Sequence, residues 1–156
     1  MSRRNQIRMS TQEISAYLSA ARTIILVSNG KDGYPHPMPM WFAVDENLVI
    51  TMTTFEKGQK IKNIQRNSKV SLLAESGDSY EQLKGVVIYS HAEIDRDPEL
   101  TASVMARVAI QRGDIKATDE SEAMPMFMKR AAKRVTLRFV PEKIFSWDHA
   151  GLGNQY

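Results

Sequence analysis

Ile24-Ile25-Leu26-Val27-Ser28-Asn29-Gly30-Lys31-Asp32-Gly33-Tyr34-Pro35-His36-Pro37-Met38-Pro39-Met40-Trp41-Phe42 is the stretch that decides the fold. Thr23 to Asn29 is a compact apolar run bounded by Gly30-Lys31-Asp32-Gly33, whose glycines and aspartate supply turn chemistry, so the chain doubles back as a hairpin. The second arm, Tyr34 to Val44, carries Pro35, Pro37 and Pro39 at alternate positions. Proline has no N–H, and three missing donors do not suit the middle of a fully paired ladder, so the first half of this arm is an edge or an irregular segment. Asp45-Glu46-Asn47 then turns the chain into Leu48 to Thr54, where Leu48, Ile50 and Met52 alternate with Val49, Thr51 and Thr53. A three-stranded meander is expected.

Upstream, Ser10 followed by Glu13 makes a capping box, and Ile14, Tyr17, Leu18 and Ala21 form one stripe of a short amphipathic helix. Downstream, the period changes over Lys57 to Asn67, a short polar helix with Ile61 and Ile64 as its buried pair, and Val70 to Ala74 returns to strand. Ser76-Gly77-Asp78-Ser79 reads as a loop and Gly85 to Ile94 as a long strand. Asp97-Pro98 supplies an N-cap and a first-turn proline for a helix with Leu100, Val104 and Val108 as its apolar stripe, ended by Gly113. A further helix is expected from about Pro125 to Lys133, and Val135 to Val140 and Lys143 to Trp147 close the chain as strands. Short turns between strands, with one or two helical insertions, favour an antiparallel barrel over a doubly wound sheet.

The 156 residues, 42% hydrophobic and 25% charged, suit one globular domain spanning 1–156. The absence of cysteine excludes disulfides, thiolate nucleophiles and iron–sulfur clusters, so any redox chemistry comes from a bound organic cofactor. Arg3, Arg4 and Arg8 are followed by no apolar leader segment, and no window approaches the roughly 20 apolar residues that span a bilayer, so a cytoplasmic location and no membrane partner are expected. The net charge of +3 is spread along the chain. Its densest group, Lys57, Lys60, Lys62 and Arg66, suits a phosphorylated small molecule as well as a nucleic acid.

Three constellations carry chemistry. In Thr53 to Asn63, hydroxyls, Gly58 and lysines gather where a strand meets a helix N-terminus; free amides there, with Lys60 as a point charge, favour a phosphate. The same residues also describe a solvated, capped helix face. His36 to Phe42 is an extended, proline-stiffened segment whose free carbonyl and amide groups can bind the edge of a planar heterocycle, or an edge strand with large side chains in the core. Trp147-Asp148-His149 combines an aromatic platform, a carboxylate and an imidazole, suited to a ligand, a partner subunit or simple packing. No GxGxxG or GxxxxGK[ST] motif is present, and His36, His91 and His149 lack metal-ligand spacing, so no metal site is expected.

In order and spacing these segments resemble the pyridoxamine 5'-phosphate oxidase-like superfamily, and within it the flavin- and deazaflavin-dependent oxidoreductases. The resemblance rests on Ile24 to Phe42, on Thr53-Thr54 followed by Gln59-Lys60-Ile61-Lys62-Asn63, on Val70-Ser71-Leu72-Leu73, on Gly85-Val86-Val87 and on Ser146-Trp147-Asp148. It implies a mainly β (α+β) split antiparallel β-barrel, the FMN-binding fold, with short flanking helices. It also implies a homodimer binding FMN or F420 at its interface and moving hydride to or from a small organic substrate. The cofactor phosphate would lie near Thr53, Thr54, Gln59, Lys60 and Asn63, and the ring along Met38, Pro39, Met40 and Trp41. Trp147 and Asp148 would close the site or the dimer contact, and their Ser-Trp-Asp context leans towards F420.

The departures also carry information. Ala150-Gly151-Leu152 follows Ser-Trp-Asp where many relatives have a basic residue and leucine, and the Arg-rich phosphate set of true pyridoxamine phosphate oxidases is absent, which disfavours that activity. Residues 97–133 resemble the variable insertion that adjusts the substrate pocket. No catalytic acid or base is assigned; His36, His149 and Asp148 are candidates by type alone. A non-catalytic cofactor- or haem-binding protein is the alternative, and a nucleic-acid-binding barrel is a third, less favoured one.

Overall fold

The computed structural model describes residues 3–153. Eight strands form one curled antiparallel sheet: β1 (Ile24–Asn29), β2 (Pro35–Met40), β3 (Ala43–Val44), β4 (Ile50–Phe55), β5 (Lys69–Ser76), β6 (Lys84–Asp95), β7 (Arg134–Phe139) and β8 (Lys143–Asp148). Their order is β2-β1-β5-β6-β7-β4-β3, with β8 also on β6. The long β6 joins the two halves. Lys84 to Tyr89 pair with β8, and Ala92 to Asp95 pair with β7, so the strand bends from one half-sheet into the other. This is a split β-barrel of mainly β (α+β) class.

The barrel is filled by the alternate residues of its strands, among them Leu26, Ile50, Met52, Leu72, Ile88, Leu137 and Phe139, all fully buried. Burial of each such side chain contributes about 1.5–3 kcal/mol. Helix α1 (Arg3–Gln6) precedes α2 (Thr11–Ala20), which adds Ile14 and Leu18 to the same core. The start of α2 is set by the capping box: Glu13 N–H donates to Ser10 Oγ at 3.3 Å, and Ser10 N–H to Glu13 Oε2 at 2.6 Å. Helix α3 (Gln59–Arg66) adds Ile61 and Ile64. Among the described residues no helix is long and apolar enough to cross a membrane.

The expected three-stranded meander does not form. β2 pairs only with β1, whereas β3 and β4 lie at the opposite end of the sheet order. The register explains why. Ser28 pairs with His36, Leu26 with Met38 and Ile24 with Met40. Since proline cannot donate, these are the hydrogen-bonded pairs, and Pro35, Pro37 and Pro39 turn their carbonyls to the other side. The outer edge of β2 therefore offers acceptors and no N–H donor, and β4 cannot pair with it. The chain instead breaks at Trp41-Phe42, burying Phe42 and leaving Trp41 59% exposed.

The 97–133 insertion packs on the outside of β3, β4 and β7. Helix α4 (Pro98–Arg112) starts at Asp97, whose side chain accepts from Glu99 N–H, and stops at Gly113 in a left-handed conformation (φ 75°). It buries Thr101, Val104 and Val108, while Leu100, expected on its apolar stripe, is exposed. The helix expected from Pro125 is broken into α5 (Glu120–Ala123), a 3-10 turn (Met124–Met126) and α6 (Met128–Ala131). Asp119 caps the first piece by accepting from Glu122 N–H at 2.9 Å, so winding begins before the proline. Pro125, without an N–H, then interrupts the ladder. Arg107 binds both carboxylate oxygens of Glu120, and Ser103 donates to the same group at 2.6 Å, fastening the broken helix to α4.

Candidate functional site

The main cleft, about 660 Å3, lies between the end of β2, the middle of β4 and the insertion. Pro39, Met40, Trp41 and Thr53 line one side, Met105, Val108 and Ile115 another, and Met126, Phe127, Arg130 and Arg134 the third. Its size and its apolar lining with few polar groups are those of a cofactor or small-ligand site. Trp41 is held from behind: the Arg112 guanidinium lies 4.1 Å from its ring centroid. Arg112 is itself tethered, by Asp114 at 2.8 Å and by the Arg22 carbonyl at 2.7 Å. The indole thus carries a cation over its ring and is still 59% exposed, a tethered surface on which a planar group can stack.

The predicted phosphate residues straddle β4. Thr53 opens to the main cleft, while Thr54, one residue on, is buried on the face it shares with Met52 and accepts from Lys60 Nζ at 3.0 Å. Burial, and then the charge of Arg134, push the Lys60 ammonium below its usual pKa. Burial, and then Arg130, do the same to Arg134, whose guanidinium lies 4.1 Å from the Phe55 ring centroid. Among the described residues Lys60, Arg130 and Arg134 have no carboxylate partner. The one acid lining the cleft, Asp114, is taken by Arg112. These cations therefore carry charge that no carboxylate among the described residues offsets, and such charge attracts anions.

Gln59 and Asn63 point elsewhere. Asn63 is 1% exposed; it donates to Ser28 Oγ at 3.1 Å and accepts from Gln59 Nε2 at 3.0 Å and Arg66 Nη2 at 3.3 Å. Its hydrogen bonds pin α3 to β1. Gln59 and Asn63 border a second cleft of about 560 Å3 with Tyr34 and His36, and His36 Nδ1 is buried there with no hydrogen-bond partner among the described residues. Met38 lines none of these clefts. Trp147 borders a third, about 610 Å3, with Arg4, Ile7, Val87 and Phe145. Its ring lies across Gly85 on β6, and the neighbouring Asp148 binds Lys84 at 2.8 Å, the hydrogen bond that chiefly lowers its pKa.

Of the residues predicted from sequence, Pro39, Met40, Trp41 and Thr53 come together, with Lys60 and Thr54 behind β4. Gln59, Asn63, Trp147 and Asp148 do not join them within one chain. Sequence reasoning missed Arg112, Arg130 and Arg134. No local pattern announces them: Arg112 closes α4, Arg130 lies in α6 and Arg134 opens β7, so the fold alone brings them to one cleft.

Fold and cleft together define a split-barrel protein with a cofactor-sized, cation-bearing site. The chain belongs to the pyridoxamine 5'-phosphate oxidase family, whose model matches residues 10–148. It is similar over its full length to a conserved hypothetical protein from Mycobacterium tuberculosis, at 36% identity and TM-score 0.87 over 95% of that chain. The fold also matches an F420 reductase, at 24% identity and TM-score 0.63, covering 83% of this chain and 94% of that one. A heme storage protein, HutZ from Vibrio cholerae, matches at 16% identity and TM-score 0.65, covering 87% and 93%. No curated protein matches the chain in sequence.

Proposed function

We propose that this chain is an oxidoreductase that binds FMN or F420 and moves hydride to or from a small organic substrate. The observation that carries the reading is the main cleft, where an exposed stacking platform, Trp41 on Arg112, lies across β4 from Lys60, which has no carboxylate partner among the described residues. These residues fit a planar ring attached to a phosphate. Lys60, positioned by Thr54 at the start of α3, would hold the phosphate, and Pro39, Met40 and Trp41 would hold the ring. When bound, the cofactor supplies the hydride chemistry. The chain's own residues orient and shield it: Trp41 and Met40 fix the ring plane, and Val108, Ile115 and Phe127 exclude water.

A homodimer completes the reading. The outward face of β1, β5, β6 and β8 presents Val27, Leu73, Val87, Tyr89 and Phe145, partly or largely exposed. Covering that face with a second copy would bury these side chains and bring Trp147 and Asp148 towards the partner's site. The likeness in fold to a heme storage protein motivates a second reading, cofactor or haem binding without turnover.

The test is a set of fluorescence and absorbance titrations with FMN, F420 and haemin, on wild type and Lys60→Ala. Loss of a charge-assisted phosphate contact costs about 1.5–3 kcal/mol, roughly a tenfold to hundredfold rise in Kd. Flavin or F420 binding weakened by that factor supports the reading. No binding of either, or binding indifferent to Lys60, overturns it; haemin binding alone favours the second reading.

A further inference from the structure

We propose that Arg130 and Arg134 form an anion subsite of their own in the main cleft, which holds the carboxylate, or an equivalent anion, of an apolar planar second reactant. That the ligand is a second reactant rests on the function proposed above; the preference for an anion rests on the cleft alone.

Strand geometry separates this subsite from Lys60. In a strand successive side chains alternate in face. Thr54, the hydrogen-bond partner of Lys60, is buried beside the barrel core, whereas Thr53 opens to the cleft. Arg134 is the cross-strand partner of Phe55, which shares the face of Thr53, and its guanidinium stacks on the Phe55 ring. Arg130, in the short helix α6 just before β7, lines the same cleft. Lys60 is near enough to feel the charge of Arg134, but its ammonium turns to Thr54 and does not line the cleft, so a phosphate held by Lys60 still leaves Arg130 and Arg134 as the cations that face a ligand in the cleft.

Arg96, Arg107, Arg112 and Arg138 each hold a carboxylate. Among the described residues Arg130 and Arg134 hold none, and neither do Arg4, Arg8, Arg22 and Arg66, but these two share one cleft and are close enough for the charge of one to disfavour ionisation of the other. Two like charges aimed at one apolar cleft raise the free energy of the empty protein, and an anion between them relieves it. The guanidinium fork suits a carboxylate or phosphate oxygen pair. The remaining wall, Met105, Val108, Ile115, Met126 and Phe127, is apolar, and its thioethers adapt to flat hydrophobic surfaces. A neutral ligand of the same shape gains the wall and not the fork.

The probes are 2-naphthoate and its neutral counterpart 2-naphthalenemethanol, titrated into the full chain with and without saturating cofactor and followed by tryptophan fluorescence. Wild type should bind naphthoate more tightly than the alcohol. Arg130→Gln and Arg134→Gln should each weaken naphthoate roughly tenfold or more and leave the alcohol unchanged, while Arg134→Lys keeps part of the preference. Thermal melts of each variant separate lost contacts from lost fold. No naphthoate binding in either state, or equal effects on both probes, overturns the proposal. Gln variants that weaken FMN or F420 but not naphthoate give the anion site to the cofactor's charged tail, which also overturns it. If neither cofactor binds while naphthoate remains Arg-dependent, the oxidoreductase reading falls and the anion subsite stands.

Discussion

Gly85→Ala puts the contact between β6 and β8 to a direct test. Gly85 is the cross-strand partner of Trp147, and the indole lies over it. A Cβ built on Gly85 falls 2.3 Å from Trp147 Cζ2, 2.7 Å from Cη2 and 2.8 Å from Cε2, far inside van der Waals contact. The clash is with a ring, so no methylene can simply turn aside; the indole has to leave its place or β8 has to lift. Overpacking of this kind costs about 1–3 kcal/mol. In a chain of this length each kcal/mol lowers Tm by about 2–4 °C, so a fall of about 2–12 °C is expected. Calorimetry measures the fall, and fluorescence in a Trp41→Phe background reports Trp147 alone. A double-mutant cycle locates the cause. With Trp147→Ala the space is vacant, and Gly85→Ala should be neutral or should stabilise, because alanine loses less backbone entropy than glycine. The same penalty in both backgrounds would falsify the steric account.

Asn63→Ala should destabilise by about 1–3 kcal/mol, because Ser28 is then left buried without its donor; urea unfolding measures this, and a variant of wild-type stability that only loses cofactor would return Asn63 to the binding site. Glu120→Gln should flatten the acid limb of stability. Arg107 holds the Glu120 pKa below its ordinary 4.5, so the contribution is present above that value and is lost as pH falls through the lowered one. Melting curves across that range check it, and an unchanged acid limb refutes it. Arg112→Ala should free the Trp41 indole, seen as a loss of near-UV circular dichroism and a weaker ring-binding step, while Arg112→Lys restores little, since an ammonium does not stack flat.

Much of the barrel was legible because its signals are local. The capping box at Ser10, the turn at Gly30 to Gly33, the Ile61 and Ile64 pair and the Asp97-Pro98 start each depend on neighbours in sequence, and all appear in the structure. The strand order was not legible. Alternation in Leu48 to Thr54 says that a strand exists, and says nothing of whether it pairs with β2 or with β7, some eighty residues on. Site residues divided in the same way. Trp41 and Thr53, singled out by their segments, do line the cleft, whereas Arg130 and Arg134 gain meaning only from having no carboxylate partner among the described residues, which is a property of three-dimensional surroundings. Asn63 shows the same limit: its hydrogen bond to Ser28 on β1 joins residues 35 apart in the chain, which no local pattern announces.

The acceptor-only rim of β2 matters beyond the site it borders. An exposed sheet edge is a template on which a foreign strand can zip, and every rung of such a zipper needs donors as well as acceptors. Along Pro35, Pro37 and Pro39 the donors are absent, so a colliding chain meets a row of carbonyls that water satisfies better. At the concentrations of a crowded cell, this edge would resist fibrillar growth while leaving its oxygens free for any small molecule with N–H groups to offer.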